Sequence, residues 1–320
     1  MQGARKEAVT KVVIGEEAAG QRLDNYLFKQ LKGVPKSRIY RMLRGGETRV
    51  NGRRAAPDQR LQAGDEVRIP PVRTAAPVEV PTPRIARSLL DRIVYRDEAL
   101  LILDKPAGQA VHGGSGVSLG LIEQLRHELP QQRFMELAHR LDKETSGLLV
   151  IALKRAALTA LHRMLREGEV RKTYLALAAG DWSGGARHVR LPLHKYVTEA
   201  GERRVSVREE GQAAHTLFRP IRRFAGFTLV EAELYTGRTH QIRVHLASLQ
   251  HPIAGDDKYG DFELNRALKK RGLKRMFLHA ARVGFKHPLT GQPLALESPL
   301  PEDLVRFLEQ LEPRRARTTL

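Results

Sequence analysis

Leu23, Leu27 and Leu31 recur at the spacing of one helix face, which predicts a short helix over residues 22–31. Pro35 then opens a second helix near Ser37, and Gly45 and Gly46 end it. On the wheel of that helix Ile39, Met42 and Leu43 share one face, while Arg38, Arg41 and Arg44 share the other. One helix can therefore dock inward and present cations outward. TRVNGRR and DEVRIP follow as two short extended segments around an Asn51-Gly52 turn.

The clearest break in the pattern is PPVRTAAPVEVPTPR, residues 70–84, where five prolines in fifteen residues fix φ and remove backbone donors. Beyond it, strand and helix patterns alternate. RIVYRD and LLILDKP read as two strands meeting at a turn, LLVIAL as a buried strand, and residues 154–167 as a helix with Leu158, Leu161 and Leu165 on one face. TYLALAAG, FTLVEAELY and FLHAARVGF read as further strands, and residues 239–248 as a helix. Strands arriving in hairpin-like groups predict an α+β fold, a mixed and largely antiparallel sheet with helices packed on it.

Charge changes the picture next. Lys plus Arg number 55 against 36 Asp plus Glu, a formal net charge of +19, which points to a polyanionic partner with nucleic acid foremost. Residues 21–70 alone carry twelve Lys or Arg and five Asp or Glu. The helix–helix–strand order, the segment KSRIYRMLR and the VNG turn together resemble an S4-type RNA-binding domain. That resemblance implies an α/β RNA-binding unit in which Arg38, Arg41 and Arg44 meet phosphates, giving affinity and orientation more than base reading. The expected organisation is an N-terminal segment 1–20, an S4-like unit 21–70, a proline-rich linker 71–84, a catalytic unit 85–312 and a basic tail 313–320.

With no cysteine in the chain, disulfides, thiolate nucleophiles and cysteine-containing zinc sites are excluded. The longest apolar run of interest, residues 148–153, is far short of the ~20 residues a spanning helix needs. The N-terminus lacks an apolar signal core and carries Glu7, Glu16 and Glu17, so a soluble cytoplasmic protein is expected.

Candidate chemistry is sparse. No Ser sits in a G-x-S-x-G elbow, and Gly113, Gly114 and Gly116 form a glycine-rich loop without a phosphate-loop or dinucleotide signature, which fits a substrate loop better. His240 and His245 are five apart, not the four that places two imidazoles on one helix face, so no metal site is expected. HRLDKETSGLLV, residues 139–150, embeds Asp142 among basic neighbours just before a buried strand. On residue type alone Asp142 reads as a loop cap or an ion-pair partner.

HRLDKETSGLLV resembles the signature of the RluA-type pseudouridine synthases, and LDKPAGQAVHGG, RKTYLAL and TGRTHQIRVHLASLQHPIAGDDKYG resemble the same family in matching order. The likeness runs from about residue 90 to residue 300. It implies Asp142 as the catalytic aspartate, Tyr174 as the active-site tyrosine, Arg243 as the basic partner of the aspartate, and Arg140 as the side chain that helps displace the target base. His139, Arg238 and His240 are expected to bind substrate around them. Asp104 and Lys105 are expected to shape a turn beneath the pocket.

Those residue types suit the reaction. Turning uridine into pseudouridine needs a positioned carboxylate, a proton acceptor for C5 and a closed cavity, and no cofactor. A carboxylate acts as nucleophile or base only when ionised, and a neighbouring guanidinium favours that form and fixes its direction. An aromatic phenol can stack on uracil and relay a proton. A uridine in structured RNA must be extruded first, with a side chain filling the gap. The S4-like unit and the glycine loop point within the family to large-subunit ribosomal RNA, or its assembly precursor, as partner of a monomeric chain.

Three other readings stay open: a non-catalytic RNA-binding or ribosome-assembly factor, a synthase acting on transfer RNA, and a glycosidic-bond hydrolase. The last needs two flanking carboxylates where the motif offers one. Whether the aspartate attacks uracil, attacks ribose or removes a ribose proton is also open.

Overall fold

The computed structural model describes residues 9–16, 18–31, 33–72, 88–113 and 119–312, and the chain divides after Arg84 into two units. In the first, β1 (Thr10–Val13) precedes α1 (Leu23–Gln30) and α2 (Lys36–Arg44), and β2 (Arg49–Val50), β3 (Arg53–Arg54) and β4 (Glu66–Ile69) follow. The sheet runs β1-β4-β2-β3 with each pair antiparallel. Leu23, Leu27, Ile39, Met42 and Leu43 join Val50, Val67 and Ile69 in one core, so the leucine spacing and the α2 apolar stripe both point inward. Asn51 and Gly52 take positive φ, 50° and 76°, the backbone of a tight two-residue hairpin.

This unit reaches beyond residues 21–70 at both ends. Residues 10–13, expected in a separate N-terminal segment, pair along β4, and Ile14, Ala18 and Val72 belong to the core. β1 escaped the pattern because its side chains are largely exposed and show no apolar alternation. Residues 73–84 of the proline-rich segment, residues 114–118 of the glycine-rich loop and the tail 313–320 lie outside the described residues.

The second unit opens with a hairpin of β5 (Ile93–Arg96) and β6 (Leu100–Lys105). Asp97 shapes its turn by accepting from the Ala99 and Leu100 amides, both at 2.7 Å. Next come α3 (Leu121–Glu128), β7 (Glu136–Leu137), β8 (Ser146–Ala152), α4 (Arg155–Glu167) and β9 (Arg171–Ala179). β10 (Arg187–Val189), the separate hairpin β11 (Leu193–Val197) and β12 (Arg203–Val207), then β13 (Thr216–Phe224) and β14 (Phe227–Leu234) follow. The chain continues through α5 (Gln241–Ser248), α6 (Phe262–Lys270), β15 (Leu278–Lys286), β16 (Pro293–Glu297) and α7 (Glu302–Glu309).

Ten strands form one sheet in the order β10-β13-β14-β9-β15-β8-β6-β5, with β16 beside β15 and β7 beside β8. Among the described residues every pairing in it is antiparallel except β15 with β8, so the sheet is mixed and largely antiparallel as the α+β reading requires. β6 and β8 are buried on both faces. Leu101, Leu103, Leu149 and Ile151 join the core with α3 and α7, and Leu100, Ile102, Leu148 and Val150 join the one with α4. Their continuous apolar runs follow from that double cover.

The parallel junction positions the site. Gly147 pairs with Ala280 at φ 108°, and a Cβ there would stand 2.3 Å from the Ala280 carbonyl oxygen. Only glycine lets β8 start against β15 directly after the Asp142 loop.

Candidate active site

Asp142 stands in the loop between β7 and β8, whose backbone is held from below. Lys105, fully buried at the end of β6, gives its three ammonium hydrogens to the carbonyls of Pro106, Gln109 and Lys143, and the Gly108 amide also bonds the Lys143 carbonyl. The turn expected beneath the pocket at Asp104 and Lys105 is thus clamped to the chain immediately after Asp142.

Arg243 approaches from α5. Its Nη1 donates to Asp142 Oδ2 at 3.2 Å, while Nε and Nη2 grip Asp256 Oδ2 and Oδ1, both at 2.7 Å, and Nη2 lies 3.4 Å from Asp257 Oδ1. Arg243 is 5% exposed and Asp256 is 0% exposed, so this bidentate pair is a buried one. Burial disfavours the Arg243 charge, yet the bonds and charge of Asp256 and then the Asp142 charge outweigh it and raise its pKa. Burial likewise opposes ionised Asp256, but Arg243 and the Lys258 and Tyr259 amides hold its pKa below the usual carboxylate value. Asp256 therefore fixes the guanidinium, and the guanidinium fixes one oxygen of Asp142.

His240 faces the other oxygen, with Nε2 3.7 Å from Asp142 Oδ1. It caps α5 with φ 54°, a left-handed backbone unusual for a side-chain-bearing residue, so a sparsely populated conformation is held beside the carboxylate. Tyr259 Oη accepts from the Val205 amide and lies 2.7 Å from His240 Nδ1, the one acceptor for the phenol hydrogen among the described residues. With the phenol hydrogen directed at Nδ1, the ring proton sits on Nε2, toward Asp142. Burial lowers the His240 pKa, against the opposing pull of Asp142.

Tyr174 comes from β9 and is 7% exposed. Burial, then the Asp142 charge, raises its pKa, so it stays a neutral phenol. Its hydroxyl has no hydrogen-bond partner among the described residues. A cavity of about 640 Å³ brings together Asp142, Tyr174 and Arg243 with His139, Arg140, Arg238 and His240, so all seven residues expected in the second unit line one pocket. That volume lies in the range that encloses small ligands. Within it Arg140 is exposed, Arg238 Nε bonds the Ala213 carbonyl, and His139 Nε2 accepts from the Val150 amide. Burial pushes His139 down to about 4, so it is a neutral strut.

Asp256, Tyr259 and Lys172 are the site residues that sequence reasoning did not single out. All three lie in the family-like motifs, but only the folded contact with Arg243 or the cavity gives them a role. His245 belongs elsewhere: it is buried between Thr216 Oγ1 and the Leu191 carbonyl. No cluster of three or more metal-ligating side chains occurs among the described residues.

In the first unit Arg41 and Arg44 are exposed on α2, whereas Arg38 is partly buried and bonds both Glu47 oxygens, at 3.1 and 2.9 Å. On the wheel Arg38 is next to buried Met42, at the edge of the cationic stripe.

A profile of the RNA pseudouridylate synthase family matches residues 99–248, and one of the S4 domain matches residues 21–67. The chain belongs to the RluA-type RNA pseudouridylate synthases and carries an S4 domain at its N-terminal end. It is 51% identical to "Ribosomal large subunit pseudouridine synthase C" of Escherichia coli (strain K12) over 313 residues, covering 96% of this chain and 98% of that one. The protein of the same name in Pasteurella multocida (strain Pm70) is 48% identical over 314 residues, covering 97% and 96%. Among solved structures, "Human RNA Pseudouridylate Synthase Domain Containing 1" aligns with a TM-score of 0.58 at 27% identity, covering 71% of this chain and 90% of that one.

Proposed function

We propose that this protein isomerises selected uridines of large-subunit ribosomal RNA, or of its assembly precursor, with Asp142 as the catalytic carboxylate. The observation that carries the reading is the Asp142 carboxylate aimed into the cavity by a guanidinium that Asp256 holds, with the Tyr174 phenol lining the same cavity. The near full-length likeness to large-subunit synthases supports the substrate. In the reaction the C1′–N1 bond breaks, C5 joins C1′, C5 loses its hydrogen and N1 gains one. Atoms and electrons balance without an oxidant, reductant or group donor.

Asp142 acts on the uridine, Arg243 orients it, Tyr174 covers the detached base and offers its hydroxyl, and Arg140, exposed at the cavity, occupies the space the extruded nucleotide leaves. His139, Arg238 and His240 line the substrate's path. No helix among the described residues is long and apolar enough to cross a membrane. The enzyme is taken as cytoplasmic, where ribosomal RNA is, and as a monomer whose balanced isomerisation calls for no cofactor. The test is release of tritium from C5-labelled large-subunit RNA by the purified protein. Release from transfer RNA alone would overturn the substrate assignment, and free uracil would show hydrolysis instead.

The S4 domain carries a separate expectation. Arg41→Ala with Arg44→Ala should raise KM with little change in kcat, because phosphate contacts made by α2 are the same before and during the reaction. Log affinity against log salt should flatten by roughly 0.7–0.9 for each phosphate no longer neutralised. Arg38→Ala should do less, since Glu47 already occupies that guanidinium. Filter binding across a salt series, with single-turnover rates, measures both.

A further inference from the structure

One part of the cavity wall is not used by the chemistry around Asp142. There α4 and the start of β9 contribute Leu165, Arg166 and Lys172. Lys172 and Tyr174 are two residues apart on β9, hence on one face and about 6.6 Å apart along the strand. The Lys172 ammonium lies 3.4 Å from where a Cβ on Gly237 would stand, so it reaches the exposed Gly237–Arg238 turn that also lines the cavity.

These cations differ from their sequence neighbours. Arg163 pairs with Glu167 and Glu169, Arg171 with Glu233, and Arg243 with Asp142 and Asp256. Lys172, Arg166 and Arg140 have no carboxylate within ion-pair distance among the described residues. Burial holds Lys172 down to about 8, and neutral His139 beside it supplies no compensating charge. Lys172 is half-buried, and an ammonium that has lost part of its water without gaining a counter-ion is favoured by an anion arriving from outside. Neutral uracil brings no net charge, whereas each phosphodiester of its RNA brings one.

We propose that Lys172 and Arg166 form a subsite for a backbone phosphodiester of the extruded nucleotide. This rests on the RNA-isomerase reading above. A phosphate keeps its charge throughout the isomerisation, so the contact is uniform binding and is felt in KM rather than in kcat.

The experiment uses the full chain with C5-tritiated large-subunit RNA and compares wild type, Lys172→Met, Lys172→Arg and Arg166→Ala. Lys172→Met should raise KM about tenfold, leave the single-turnover rate at saturating enzyme within about twofold, and lower the salt slope by roughly 0.7–0.9. Lys172→Arg should restore both KM and slope. Arg166→Ala should shift both in the same direction. Thermal melts of Lys172→Met should be no lower than wild type, because the substitution breaks no ion pair within the protein and removes an ammonium whose charge burial disfavours. A collapse of the saturated rate with salt slope unaltered would place Lys172 on the base and overturn the subsite, as would a lowered melting temperature with KM and slope unchanged. Wild type that binds the RNA with a Lys172-dependent slope yet releases no tritium would support the subsite and overturn the substrate reading.

Discussion

Asp142→Asn is expected to cut the saturated rate of tritium release by about 10³-fold or more while RNA affinity stays within a few-fold of wild type. The carboxamide keeps the shape of the side chain, but it cannot act as nucleophile or base. Its amide group also meets two donors, Arg243 Nη1 and His240 Nε2, where the carboxylate had two acceptor oxygens. The loop itself should hold, because Lys105 and Gly108 anchor it through the Lys143 carbonyl and not through the carboxylate. Affinity should hold because the cations proposed to meet phosphate are others, Arg41 and Arg44 on α2 and Lys172 and Arg166 in the cavity wall. Rapid-mixing rates and filter binding on the same preparation decide the matter. Turnover above a tenth of wild type would remove Asp142 from the reaction.

Parts of the architecture that combine apolar periodicity with a local stop signal were legible in the chain. α2 lies between Pro35 and Gly45, α4 carries its leucine stripe, and the Asn51-Gly52 turn has the backbone its residues demand. β6 and β8 were legible as buried runs because both faces of the sheet are covered there. β13 was hidden: Pro220 coincides with a register shift, and Arg219, Arg222 and Arg223 break its alternation. β11 and β12 form a largely exposed hairpin that buries only Leu193 and Val205, and Lys195 and Arg203 on that same face interrupt the apolar alternation. α5 shows weak amphipathicity because polar Gln241, Arg243 and His245 are buried along with its apolar side chains, each satisfied by a tertiary bond.

The site was legible in a different way. Asp142 by itself looks like any loop acid, and its assignment with Tyr174 and Arg243 came from motif resemblance; the separation of 101 positions between Asp142 and Arg243 carries no spacing rule. The fold brings these residues to one cavity because β8 starts at the Asp142 loop, β9 lies two strands away across β15, and α5 directs Arg243 toward the loop. Asp256 had no signal that periodicity could supply. It follows Arg243 by thirteen residues, after the helix has ended, and only the turn after α5 returns it beneath the guanidinium.

That buried pair carries the second large effect. Arg243→Met should lower folding stability by on the order of 3–5 kcal/mol and abolish turnover, because it leaves Asp256 ionised, fully buried and without its cation. Arg243→Met combined with Asp256→Leu should recover most of the stability, since two apolar side chains need no counter-ions, but should not recover turnover, since the guanidinium on Asp142 is still missing. The pH dependence separates this from general packing loss. In wild type the folded pKa of Asp256 is depressed, so its contribution to stability is present above the ordinary carboxylate range and lost as pH falls through the depressed value. In Arg243→Met the sign reverses: burial raises the carboxyl, the folded state takes up the proton more readily than the unfolded one, and acid relieves the defect. The stability gap between wild type and Arg243→Met should therefore be largest near neutrality and shrink as the pH is lowered toward about 4. Urea unfolding at a series of pH values, with tritium release assayed for both variants, measures it. A gap that stays constant with pH, or a double variant no more stable than the single, would mean that Asp256 and Arg243 do not depend on each other as their geometry requires.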